Sequence, residues 1–132
     1  MAITQLIEQI GQQVYVTLTA AQVNSGNTVP INIGLPDSGA GYYYIATDME
    51  VQLVWNSVAF AASTISVRSV GGTQVWRNCI NCINATANKF IGSSANSGTV
   101  VENAGLELVT NVGSAGDSTV NLIITVVKKA MP

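Results

Sequence analysis

Hydrophobic and polar positions along the chain change period once, near Val14. In "MAITQLIEQIGQQ" the apolar residues Ile3, Leu6, Ile7 and Ile10 fall at i, i+3, i+4 and i+7, with Gly11 as a stop, which predicts a short helix. A single stripe of this length is not stable alone in water, so the segment is expected to dock as an arm, on its own body or on a neighbour. Residues 1–13 are read as this arm and residues 14–132 as a single β-sandwich domain.

Beyond Val14 the chain breaks into short β-branched and aromatic runs separated by Gly, Asn, Ser and Pro clusters. "VYVTLTAAQV" alternates up to "NSGN", and "TVPINIGL" stops at "PDSGAG". "YYYIATD", "MEVQLVWNSVAF" and "STISVRSV" follow, ending at Gly71-Gly72. "TQVWRNC" opens a less regular region, "IGSSANSG" reads as a loop, and "TVVENAGLELVTNVG" holds two short strands. "STVNLIITVVKK" is the clearest strand. Seven to nine strands without α-helical crossovers predict an all-β antiparallel sandwich or jelly roll.

Two runs assign faces. In "MEVQLVWN", Val51, Leu53 and Trp55 should face inward and Glu50, Gln52 and Val54 outward. In "TVNLIITVV", Val120, Leu122, Ile124 and Val126 form one face, and Asn121, Ile123, Thr125 and Val127 the other. Ile123 and Val127 make that second face apolar for one in water, as expected of a strand covered on both sides or lying at a subunit interface.

Composition points the same way. Of 132 residues, 48% are hydrophobic and only 9% charged, against about 25% charged in an ordinary soluble domain. A subunit packed into an assembly can replace surface charge with Ser, Thr, Asn, Gly and Ala. Residues 1–66 hold Glu8, Asp37, Asp48 and Glu50 without Lys or Arg, so the net −2 is unevenly spread. No basic run exists to track a phosphate backbone, which disfavours nucleic acid. "MAITQLIEQIG" does not read as a signal peptide, and "LIITVV" falls far short of the ~20 apolar residues of a membrane-spanning helix.

Candidate chemistry is thin. The chain has no histidine, which removes the commonest general base, the serine triad and the usual zinc ligand set. Lys89, Lys128 and Lys129 sit in no nucleophile motif. Asp48 with Glu50, and Glu102 with Glu107, are the carboxylate neighbours a glycosidase could use, though solvated edges and turn capping explain them more simply. No enzyme, metal or cofactor is expected. Tyr42, Tyr43, Tyr44, Trp55 and Trp76 form the alternative ligand platform, a surface on which sugars could stack.

"RNCINCIN" holds both cysteines, Cys79 and Cys82, in C-x-x-C spacing. A thioredoxin-like dithiol needs a helix N-terminus in an α/β setting, and the flanks here are β-like. Zinc needs four ligands, and two thiols without imidazole supply half. In an extended strand the two α-carbons would stand about 10 Å apart, beyond disulfide reach, so only a tight turn could join them. The stretch is therefore read as an irregular connection with structural thiols packed inward, a local disulfide ranking next and redox or metal work last.

A short β-domain with an N-terminal arm ("MAITQLIEQIG"), few charges and a closing strand ("AGDSTVNLIITVVKK") resembles the small decoration or cement proteins of tailed-phage capsids and, more generally, virion jelly-roll subunits. That resemblance implies a homotrimer on the outer capsid surface, with the major capsid protein as partner and Ile3, Leu6, Ile7 and Ile10 buried against it. A carbohydrate- or receptor-binding module of a tail fibre or surface adhesin is the alternative, working through the five aromatic residues.

Overall fold

The computed structural model describes residues 11–132. The arm residues Ile3, Leu6, Ile7 and Ile10 lie outside the described residues. Among the described residues, nine strands and one helix follow in chain order: β1 (Gln12–Leu18), α1 (Ala20–Ser25), β2 (Ile31–Asn32), β3 (Tyr42–Val54), β4 (Thr64–Ser69), β5 (Arg77–Ile80), β6 (Lys89–Gly92), β7 (Ser94–Ala95), β8 (Leu106–Asn111) and β9 (Thr119–Ala130). They form a β-sandwich of two antiparallel sheets, ordered β1-β9-β3-β6 and β2-β8-β4-β5-β7.

That order is the jelly-roll plan. Leaving aside the two-residue β7, the chain behaves as one long hairpin whose arms pair β1 with β9, β2 with β8, β3 with β6 and β4 with β5, every pair antiparallel. Wrapping the hairpin lays β9 against β3 and β8 against β4, which completes the two sheets.

The core follows from strand alternation. Val51 and Leu53 of β3, Val120, Leu122, Ile124 and Val126 of β9, Ile65 and Val67 of β4, and Leu106 and Leu108 of β8 are all buried between the sheets. Trp55 departs from its expected inward place: β3 ends at Val54, and Trp55 lies half-buried beyond it. Met49 takes a core position instead.

One irregularity sets the phase of β3. The register steps from Ala46↔Val126 to Asp48↔Thr125, so Thr47 is an extra residue, a β-bulge whose hydroxyl donates to the Thr125 carbonyl at 3.4 Å. Before it Tyr44 and Ala46 point inward; after it Met49, Val51 and Leu53 do. "YYYIATD" and "MEVQLVW" are thus one strand whose alternation slips by one residue at Thr47.

The second half of "VYVTLTAAQV" is helical rather than extended. Thr19 caps α1 with a capping box: its hydroxyl accepts from the Gln22 N–H at 3.2 Å, and the Gln22 side chain accepts from the Thr19 N–H at 2.9 Å. Val23 is buried, and its carbonyl accepts from the Thr110 hydroxyl of β8 at 2.6 Å. Two further runs also differ from expectation. "TVPINIGL" contributes only Ile31–Asn32, and "IGSSANSG" carries the end of β6 and all of β7 rather than a bare loop.

Loops at one end are tied by Asp117. Its carboxylate accepts from the backbone N–H of Ser57 (3.0 Å) and of Val58 (2.7 Å), from the Ser57 hydroxyl, and from the Asn56 amide (3.0 Å). These donors, the Ser57 hydroxyl first, hold the Asp117 carboxyl below the ordinary carboxylate range. Among the described residues no buried side-chain nitrogen or oxygen lacks a hydrogen-bond partner.

Adjacent residues of β9 should therefore respond oppositely to substitution. Ile124→Ala is expected to cost about 2–5 kcal/mol by opening a core cavity, whereas Ile123→Thr, half-buried on the outer face, should cost about 1 kcal/mol or less, both read from urea midpoints. For Asp117 the depressed folded pKa means that the carboxylate stabilises above the unfolded pKa and loses that effect as pH falls through the folded value. Asp117→Asn should lower the thermal midpoint at neutral pH and flatten its decline on acidification, measured by a thermal-melt series across the acid range.

Candidate functional site

The outer face of the β1-β9-β3-β6 sheet is built by the residues that alternation turns away from the core. In register across it lie Tyr15, Ile123 and Glu50, and beside them Thr17, Asn121, Gln52 and Phe90. Tyr15 is 70% exposed and Phe90 59% exposed, with half-buried Ile123 between them on the central strand. Val54, at the end of β3, is exposed too. A polar rung crosses this surface: the Thr17 hydroxyl donates to the Asn121 side-chain oxygen at 2.8 Å, and the Asn121 amide donates to Gln52 at 3.2 Å. The face thus carries two exposed aromatic rings on its edge strands, with Ile123, Glu50 and a polar rung bonded within the sheet between them.

One end of this face carries charge. Asp48 pairs with Arg77 of the other sheet at 3.6 Å, and the Arg77 guanidinium also donates to the Ser93 carbonyl at 2.7 Å, strapping β5 to the β6–β7 link. Asp48 and Glu50 share the outer face, as their spacing implied. Glu102 and Glu107 are engaged separately: Glu102 accepts from the Gly41 N–H at 3.0 Å, while Glu107 pairs with Arg68 at 2.7 Å.

The five aromatic residues of the sugar-platform reading are dispersed by the fold. Tyr44 is buried, with its phenol pushed up by burial. Tyr42 lies beneath the Lys128 ammonium, 4.6 Å from the ring centroid, and Tyr43 alternates to the other face of β3. Trp76 donates its indole N–H to the Ser69 hydroxyl at 3.1 Å, and its ring packs so tightly on Gly98 that any Cβ there would collide with it.

Cys79 and Cys82 are both free thiols, buried in the core cluster. β5 ends at Ile80, and Asn81 then turns the chain in the left-handed region at φ 54°. Its N–H donates to the Ser63 carbonyl at 2.6 Å, and its side chain accepts from the Asn84 amide at 3.1 Å. The Cys82 thiol folds back to within 3.4 Å of the Cys79 carbonyl, while the Cys79 thiol approaches the Gly92 carbonyl of β6 at 3.6 Å. Hydrogen bonding from Cys82 lowers the Cys79 pKa; the same interaction, with burial, raises that of Cys82. A cavity of about 310 Å³ opens where β5, β6 and β7 meet, lined by Cys79, Ile80, Ile91 and Gly92 with the polar Asn78 and Asn96.

Among the described residues no group of three or more His, Cys, Asp or Glu side chains could hold a metal ion, and no helix is long and apolar enough to cross a membrane. Sequence reading missed Tyr15 and Phe90. Tyr15 could have been found, because Val14, Val16 and Leu18 claim the inward face of "VYVTL". Phe90 could not, because β6 is only four residues long and its register is set by β3.

No protein-family model matches the chain, and no curated protein matches it. Among solved structures, it is similar to a chain of the acidic stable capsid structure of Helicobacter pylori bacteriophage KHP30, at 14% sequence identity and a TM-score of 0.46, over 91% of this chain and 93% of that chain.

Proposed function

We propose that this chain is a non-enzymatic structural protein of a virion, a decoration or cement subunit. In this reading it forms a homotrimer on the outer shell and holds the major capsid protein in place by contact. The observation that carries the reading is the outer face of the β1-β9-β3-β6 sheet, where Tyr15 and Phe90 stand exposed around Ile123 on a chain with only 9% charged residues. Exposed aromatic side chains flanking an aliphatic one suit the core of a protein interface.

The jelly-roll strand order supports the same reading by analogy, because this plan recurs in viral capsid domains as well as in lectins and cupins. A sugar platform is less well supported: Tyr44 is buried, Tyr42 is covered by Lys128, and the Trp76 indole is occupied by Ser69. The work is binding. Each apolar arm residue among Ile3, Leu6, Ile7 and Ile10 would contribute up to about 1.5–3 kcal/mol when fully buried on a neighbour. Three linked arms multiply such modest contacts into durable attachment.

Size-exclusion chromatography with light scattering is expected to give a trimer mass, and a strict monomer would overturn the reading. Tyr15→Glu combined with Phe90→Glu should leave the β-rich circular dichroism unchanged and dissociate the trimer. Deleting residues 1–10, which stops short of β1, should preserve the folded trimer and abolish co-sedimentation with capsids lacking this protein. Retained co-sedimentation would assign attachment to another surface.

A further inference from the structure

The Cys79–Cys82 turn can do more than fill space. In an extended strand these cysteines would lie too far apart to bond. The left-handed Asn81 reverses the chain between them, and Ser63 and Asn84 hold that reversal in place. Both thiols are reduced and sit in the same turn, Cys82 folded back on the Cys79 backbone at 3.4 Å. Both are buried, but only one of them lines a cavity. Cys79 lines the cavity between β5, β6 and β7, whereas Cys82 is sealed behind it in the core.

We propose that Cys79 and Cys82 form a dithiol–disulfide couple, with Cys79 the attacking thiol, Cys82 the resolving one, and a small-molecule disulfide the oxidant that enters through the cavity. Cys79, as thiolate, attacks one sulfur of the oxidant, breaking its S–S bond and releasing one thiolate, which takes up the proton that Cys79 lost. Cys82 then gives its proton to solvent and attacks the Cys79 sulfur of the mixed disulfide. The Cys79–Cys82 bond forms and the second thiol leaves, taking a proton from solvent. In total the protein loses two electrons and two protons, and one oxidant disulfide becomes two thiols.

Two features favour this order. The Cys82 interaction that lowers the Cys79 pKa raises the thiolate fraction at the cavity-lining partner, and Lys89 acts in the same direction. The Gly92 carbonyl beside Cys79 carries no side chain to close the cavity, since a Cβ on Gly92 would meet nothing within 4 Å. Closing the bond would cross-link the end of β5 to the turn that follows it, next to edge strand β6. Such a couple distinguishes a reducing cytosol from an oxidising exterior.

The test is oxidation of the native protein with oxidised glutathione, followed by acid quench and intact-mass measurement. Wild type is expected to end two hydrogens lighter, without a glutathione adduct and with both thiols lost to a thiol reagent after denaturation. Cys82→Ser should stop at a single glutathione adduct on Cys79, and Cys79→Ser should remain unmodified over the same time. Where a variant fails to fold, early quench of the wild-type reaction replaces it, and a transient single adduct mapped to Cys79 is expected. Two free thiols persisting in native wild type, a stable adduct on Cys82, or a disulfide-linked dimer would overturn the proposal.

Discussion

The pairing of β3 with β9 is the constraint on which the rest of the molecule depends. The two strands run antiparallel from Tyr42↔Ala130 to Val54↔Thr119, broken only at the Thr47 bulge. Their inner faces provide Met49, Val51 and Leu53 on one side and Val120, Leu122, Ile124 and Val126 on the other, a large share of the core. A slip of one residue would turn all of these outward, so burial of this one ladder fixes the register of the sheet. β1 and β6 then add to its two edges, which places Tyr15 and Phe90 on the same surface.

That surface follows from the core as its complement. Each inward residue on β9 commits its neighbour to the outside, so Ile123 is displayed because Leu122 and Ile124 are buried. Three polar side chains there, Thr17, Asn121 and Gln52, bond to one another within the sheet. Tyr15, Ile123, Val54 and Phe90 remain as its apolar side chains, beside the carboxylates of Asp48 and Glu50.

The two ends of the sandwich, Asp117 beyond Val54 at one and Ser38 beside Tyr42 at the other, show how polar groups are handled where strands run out. Asp117 gathers backbone donors from the loop after β3, and Ser38, fully buried, accepts from the Ala104 N–H at 3.2 Å while donating to the Tyr42 carbonyl at 2.9 Å. Short Ser, Asn and Asp side chains therefore replace the charge network of a more conventional domain. The composition that suggested an assembly subunit is also what lets these loops be satisfied locally.

The all-β class, the inward faces of the two longest strands and the apolar outer face of β9 were legible in the amino-acid sequence, because alternation is a local property of the chain. The capping box of α1 was written there as well, in Thr19 and Gln22, although the alternation around it concealed it. Three matters were decided only by the tertiary structure. Strand order depends on pairings between residues as distant as Gln12 and Val126. The bulge at Thr47 became visible only against its partner, since an extra residue and a strand break look alike in one dimension. The relation of Cys79 to Cys82 turned on one backbone conformation at Asn81, which Ser63, eighteen positions earlier, holds in place. Local pattern determines which side of a strand is apolar; which strands meet, and therefore which side chains share a surface, is settled by long-range packing.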